Sequence, residues 1–321
     1  MIENKKLVSL IIPCYNEEET IKILYHEICQ ISKQLKKYNF EYLFIDDGSK
    51  DGSLSLIKNL SEMDNRVLFY SFSRNFGKEA AMYAGFCNAH GDYIAVMDAD
   101  MQDPPFLLSQ MIQILEKEPF YDSVATRRKD REGEPWLRSL FARLFYKIIN
   151  HISDVDIVDG ARDFRLMKRE MVDVIIHMGE YNRFSKGIFG WIGFHTYWLS
   201  YKNVERAAGN SKWSFWKLFK YSIDGIINFS HVPLALASWS GITFTLFSFL
   251  TILFIVFRKL FFGDPVAGWA SLVCTITFIG GIQLFCMGIM GHYLAKMYLE
   301  EKKRPHYIIS ETNVNNVIKV K

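Results

Sequence analysis

Asp92-Tyr93-Ile94-Ala95-Val96-Met97-Asp98-Ala99-Asp100-Met101-Gln102-Asp103-Pro104-Pro105 is the stretch on which the reading of this chain turns. An apolar run of strand length ends directly in carboxylates two residues apart. A period of two puts Asp98 and Asp100 on one side of an extended segment, where together they can hold one divalent cation. Taken alone, the same residues also describe a solvated turn closed by two prolines. The surrounding pattern separates the two readings.

Upstream, strand and helix patterns alternate. Leu7 to Ile12 reads as a buried strand and Glu17 to Lys36 as an amphipathic helix; Glu41 to Ile45 is a second strand and Asp51 to Ser61 a second helix. Val67 to Phe72, a helix around Glu79 to Ala89, and the strand Tyr93 to Met97 continue the series, and a further strand spans Asp122 to Thr126. Such alternation predicts an α/β fold with a mostly parallel sheet and helices on both faces. Ligands of these sheets bind beyond the carboxyl ends of the strands. Three polar loops fall at such ends: Pro13-Cys14-Tyr15-Asn16-Glu17-Glu18, Asp46-Asp47-Gly48-Ser49, and Asp98-Ala99-Asp100. Each has a simpler account by itself, a helix cap at Asn16 or a turn at Asp47-Gly48. Their coincidence at one edge does not.

The 321 residues are 50% hydrophobic, and the excess is concentrated near the C-terminus. Residues 235–257 and 266–291 are uncharged and long enough to cross a hydrocarbon core of roughly 30 Å, which takes about 20 helical residues. Between them lie Arg258 and Lys259; outside them lie Lys212, Lys217 and Lys220 on one flank and Lys296, Lys302, Lys303 and Arg304 on the other. This balance predicts a multi-pass protein of the cell membrane, with the large polar domain and both termini cytoplasmic. Between Trp213 and Phe229, Trp216, Phe219, Ile223 and Ile226 share one helical face and Lys217, Lys220, Asp224 and Asn228 another, as in a helix lying in the interface. The resulting division is a domain over 1–212, an interfacial helix over 213–234, spans over 235–257 and 266–291, and a juxtamembrane tail over 292–321. Five cysteines without paired spacing indicate neither a zinc site nor a disulfide framework, and a net charge of +3 gives no argument for nucleic acid.

The chain resembles the family 2 glycosyltransferases, in the subgroup of dolichyl-phosphate mannose synthase and the bacterial polyisoprenyl-phosphate glucosyltransferases. The residues that carry the resemblance are Ile12-Pro13-Cys14-Tyr15-Asn16-Glu17, Asp46 to Gly52, Ser73-Arg74-Asn75-Phe76-Gly77-Lys78, Asp98 to Pro105, and Asp163-Phe164-Arg165-Leu166-Met167. The resemblance implies a GT-A fold. It also implies a metal held by Asp98 and Asp100 and completed by Gln102, for which hard oxygen ligands favour Mg2+ or Mn2+. Pro13, Tyr15, Glu17, Asp47 and Asp98 match positions that bind the nucleotide sugar. Asp163 is the candidate base or acceptor-positioning carboxylate, with Asp159 as runner-up, although Arg162 stands where the family usually has glycine. A plain ion pair with Arg165 is the alternative for Asp163.

Arg127, Arg128, Arg131, Arg138 and Arg143 form a basic stretch, and Arg127 and Arg131, nearest the strand end, are candidate grips for diphosphate or lipid phosphate. Arg206, Ser211 and Lys212, and Ser185 with Lys186, lie where the family orders a loop over the donor. The implied activity is inverting transfer of one hexose from a nucleotide sugar, with UDP-glucose first and UDP-N-acetylglucosamine second, to undecaprenyl phosphate in cell-envelope glycan modification; the paired spans also fit a homo-oligomer. Two rivals stand beside it. A processive polysaccharide synthase calls for a Gln-x-x-Arg-Trp segment, absent near Arg183-Phe184. A non-enzymatic nucleotide-sugar sensor or translocase scaffold is the other.

Overall fold

The computed structural model describes residues 5–128, 160–201, 232–262 and 268–315, with the single residues 158, 227 and 230. Arg131, Arg138, Arg143, Asp159, Arg206, Ser211, Lys212 and most of the stretch 213–234 lie outside the described residues.

Strand β1 (Leu7–Cys14) is the centre of the molecule, with Val8, Leu10, Ile11 and Ile12 at most 1% exposed. Such an unbroken apolar run suits a strand covered on both faces. It pairs in parallel with β2 (Asn39–Asp46) on one side and β4 (Tyr93–Val96) on the other, and β2 pairs in parallel with β3 (Val67–Phe72). Beyond β4 the direction reverses: β6 (Ala161–Lys168) runs antiparallel to both β4 and β5 (Ser123–Arg128), and β7 (Thr196–Tyr201) runs parallel to β5. The short strand β8 (Ile309–Thr312) lies antiparallel to β3, giving the order β7-β5-β6-β4-β1-β2-β3-β8. The mostly parallel α/β sheet expected from the alternation is therefore present, extended by antiparallel strands at both sides.

Two apolar layers cover it. On one face α1 (Ile21–Gln34) contributes Ile21, Leu24, Ile28 and Ile31, one side of a 3.6-residue repeat, beside α2 (Ser53–Met63) and α4 (Leu107–Lys117). On the other lie α3 (Lys78–Asn88), α5 (Arg169–His177) and α6 (Ser185–Trp191). Helix α1 begins four residues later than the sequence pattern implied, because the backbone N–H of Glu17 donates to Ser53 Oγ at 2.8 Å and holds Glu17 in the loop. Helix α3 approaches the sheet closely: a Cβ added to Gly85 would collide with Ile11 Cγ2.

Two long apolar helices follow, α7 (Val232–Phe262) and α8 (Trp269–Glu301). Within them Val232–Thr251 and Phe278–Glu301 are long and apolar enough to cross a membrane, and almost none of their described residues is fully buried by the protein. After α8 the chain returns to the domain. Ile309 is 5% exposed at the sheet edge, where the sequence pattern had given only a tail.

Gly85→Ala is expected to destabilise the domain by about 1–3 kcal/mol through overpacking against Ile11. In denaturant titrations of the detergent-solubilised protein, Ile11→Ala should cost less in the Gly85→Ala background than in the wild type, the signature of a direct clash.

Candidate active site

The parallel register brings the loop residues together. Cys14 pairs with Asp46 and Ile11 with Val96, so the loops after β1, β2 and β4 leave the sheet side by side. The first two are bolted to each other: Asn16 N–H donates to Ser49 Oγ (2.9 Å), Lys50 N–H to Asn16 Oδ1 (2.8 Å), and Gly52 N–H to Glu18 Oε2 (2.9 Å). Asn16 and Gly48 both take left-handed backbone angles, φ 54° and 67°. At Gly48 a Cβ would lie 2.5 Å from the Arg74 carbonyl carbon, so only glycine lets the β2 loop sit against the β3 loop. Pro13, Tyr15 and Glu17 stand half-buried along this edge.

Asp47 is 3% exposed, and its two carboxylate oxygens accept the backbone N–H groups of Phe76 (2.6 Å) and Gly77 (2.9 Å). Burial pushes its carboxyl up to about 6 despite these donors. In this structure Asp47 thus braces the β3–α3 loop, alongside any contact with the base. Asp46 is tied down as well, accepting from Ser71 Oγ at 2.7 Å and Ser49 N–H at 3.1 Å.

Past β4, Asp98 and Asp100 are half-buried, and the Gln102 N–H donates to Asp100 Oδ1 at 3.1 Å. Met101 has φ 59°, strain that costs a non-glycine residue about 1–2 kcal/mol and is typical of functional turns. Arg162 crosses from β6 to this loop, its Nε donating to Asp103 Oδ1 at 2.9 Å and its Nη2 to Gln102 Oε1 at 3.2 Å. Asp103 is fully buried and also accepts from the Tyr201 hydroxyl. The arginine that departs from the family pattern is therefore the clamp that fixes the metal-candidate loop.

Lys78, in the first turn of α3, unites the centre. Its ammonium lies 2.6 Å from Asp98 Oδ1 and also donates to Asp163 Oδ2. Asp163 thus pairs with Lys78. Burial raises the Asp163 carboxyl, but the charges of Lys78 and then Lys186 override it and hold it well below the usual carboxylate range. Such a group is ionised at neutral pH and is a poor proton acceptor. Arg165, 4% exposed, stacks on Phe189 with its guanidinium 4.2 Å from the ring; burial lowers it to about 9, and its Nε and Nη1 have no hydrogen-bond partner among the described residues. Arg127 is exposed at the end of β5, its Nε donating to Ser200 Oγ at 2.8 Å, on the same edge but two strands from β4.

Glu79, next to Lys78, accepts from the N–H and hydroxyl of Ser185 at the start of α6, and burial pushes it up to about 7. Just before α6, the backbone N–H groups of Tyr181 and Asn182 donate to Glu300 at the end of α8, at 2.9 and 3.0 Å. The end of the second apolar helix is thereby two short links from Lys78. Arg183 is structural, donating to the carbonyls of Met178 and Ile175 and stacking on Tyr83.

The ordered motifs on this edge have their counterpart in a sequence family: residues 9–176 match the model of Glycosyl transferase family 2. The chain belongs to that family. It is 44% identical over 310 residues to the putative glycosyltransferase CsbB of Bacillus subtilis, covering 97% of this chain and 93% of that protein. It is 40% identical over 309 residues to the SfII prophage-derived bactoprenol glucosyl transferase of Shigella flexneri, covering 96% and 99%. Among solved structures, mannosyl-3-phosphoglycerate synthase from Rubrobacter xylanophilus aligns over 69% of this chain and 72% of that one, with 18% identity and a TM-score of 0.47. The protein is a glycosyltransferase with a GT-A fold; Lys78 and Arg162, both quoted from the sequence motifs, contact the loop after β4, as does Tyr201, which the sequence reading did not single out.

Because the folded-state value of Asp47 lies above its ordinary 3.8, protonation favours the fold. That stability is fully present below about pH 4 and is lost as pH rises through 6, an effect of about 2–3 kcal/mol. Unfolding titrations should show this fall for the wild type and a flatter profile between pH 4 and 7 for Asp47→Asn.

Proposed function

We propose that the protein transfers a single hexose from a nucleotide sugar, UDP-glucose in the first instance, to a polyprenyl phosphate, undecaprenyl phosphate, with inversion at the anomeric carbon. The observation that carries this reading is the carboxylate and lysine cluster of Asp98, Asp163 and Lys78 at the strand edge, linked through Ser185 and Tyr181–Asn182 to the end of a helix apolar enough to lie in a bilayer. A soluble acceptor has no need of that attachment. Relatives named bactoprenol glucosyl transferases over nearly their full length support the same acceptor and sugar.

The donor enters beside β1 and β2, where Pro13, Tyr15, Glu17 and Asp47 frame the base and ribose, and Arg127 faces the phosphates from β5. Asp98 and Asp100, with Gln102, fit Mg2+ or Mn2+. The donor set is hard oxygen, and among the described residues no group of three or more His, Cys, Asp or Glu is placed to cage an ion alone. An ion held there would supply neutralisation of the charge that develops on the departing diphosphate.

An oxygen of the lipid phosphate attacks the anomeric carbon as the bond to the diphosphate breaks, and the leaving group takes the electron pair. The attacking phosphate is largely dianionic at neutral pH, its second pKa being about 6, so no proton need be removed from it. The low carboxyl of Asp163 agrees with a positioning role and disfavours a base. Arg131, Arg206, Ser211 and Lys212, outside the described residues, complete the phosphate contacts in this reading, and the basic flanks Lys296, Lys302, Lys303 and Arg304 support a site on the cytoplasmic face of the cell membrane. A homo-oligomer belongs to the same picture. Neither the processive synthase nor the non-enzymatic sensor gains support.

Membranes or purified protein supplied with labelled UDP-glucose, UDP-N-acetylglucosamine and other common donors, plus polyprenyl phosphate, should form a lipid bearing one sugar. Asp100→Asn should lower kcat at least about 100-fold with the fold intact; near-normal turnover would remove the metal assignment, and no product from any donor would favour a sensor.

A further inference from the structure

The ammonium of Lys78 is the one cation recorded in ion-pair contact with both Asp98 and Asp163 among the described residues. The side chains of Asp98 and Asp163 are 19% exposed and that of Lys78 37%, so the cluster is within reach of a ligand. The helix carrying Lys78 is itself fixed: Gly77 N–H is held by Asp47, Glu79 by Ser185, and Gly85 lies against Ile11. So constrained a turn anchors the backbone of Lys78 beside both carboxylates, while its flexible stem leaves the ammonium free to shift between them.

Asp98 is therefore claimed twice, by Lys78 and by the divalent cation of the proposed function. Two cations sharing one carboxylate repel, and the repulsion is large at contact distances in a partly desolvated cleft. We propose that Lys78 is a positioning residue that occupies Asp98 in the donor-free protein and yields it when the divalent cation arrives with the donor diphosphate, while keeping its contact with Asp163. Metal binding is thereby made dependent on donor: the negative diphosphate offsets the repulsion that Lys78 imposes. The retained contact serves the second half of the reaction. An acceptor phosphate approaching Asp163 meets a carboxylate whose charge Lys78 balances.

This inference rests on the metal reading above, and its test separates the two. Mn2+ affinity is measured by electron paramagnetic resonance on the full-length protein in nanodiscs, with and without UDP. Without UDP, Lys78→Met and Lys78→Gln should bind Mn2+ about tenfold more tightly than the wild type, because a competing charge is gone. Lys78→Arg, which keeps the charge, should stay near the wild-type value, and saturating UDP should narrow the gap. Lys78→Gln retains a hydrogen-bond donor between the carboxylates, so it reports even where Lys78→Met fails to fold. A merely structural lysine gives the opposite sign, since loosening the cluster weakens the ion's site. Unchanged or weaker Mn2+ binding in a folded Lys78→Gln protein overturns the role of Lys78. Absence of Mn2+ binding in the wild type even with UDP overturns the metal reading itself, and this inference with it.

Discussion

Lys78 sits at the first turn of α3 and reaches Asp98, just past the end of β4, and Asp163, on a strand that runs the other way, so that three separately built pieces of the fold meet on one charge. The meeting depends on constraints below it. Helix α3 can lie against β1 only because residue 85 is glycine, and its start is set by the buried Asp47 carboxylate, which accepts the Phe76 and Gly77 N–H groups. Asp47 in turn is placed by the pairing of β1 with β2. The network explains why a carboxylate regarded as a nucleotide contact is so fully enclosed: it shapes the loop that presents the lysine.

The same network extends toward the apolar helices. Glu79 and Ser185 join α3 to α6, Tyr181 and Asn182 join the segment before α6 to Glu300, and β8 closes the sheet beyond β3 with Ile309 buried. A chain that merely needed an anchor could leave its catalytic domain on a loose linker. Here the chain leaves α8 back into the sheet, so hydrogen bonds and strand pairing tie the end of that helix to the domain.

Much of this was legible in the sequence because it is written in short-range pattern. The strands of the parallel half are apolar runs of strand length, and the three polar loops follow them directly, so their convergence needed only the rule for parallel sheets. What escaped reading is long-range. The Lys78–Asp163 pair is 85 residues apart in sequence, and although Lys78 closes a quoted motif, nothing local to it names its partners. Arg162 looked like a flaw in a motif until Asp103, fully buried and in need of a cation, explained it. Strand β8 is four residues with a single large apolar side chain, too little to carry a period of two. The antiparallel course of β6 likewise has no local signature.

The most direct test of the central claim is the anomeric configuration of the product. Purified protein in lipid, given UDP-glucose and undecaprenyl phosphate, should yield a lipid whose single sugar is joined through one phosphate in the β configuration, read by proton and phosphorus NMR. A lipid with an α-linked sugar, a diphosphate bridge or more than one sugar would contradict in-line attack by a lipid phosphate at this edge.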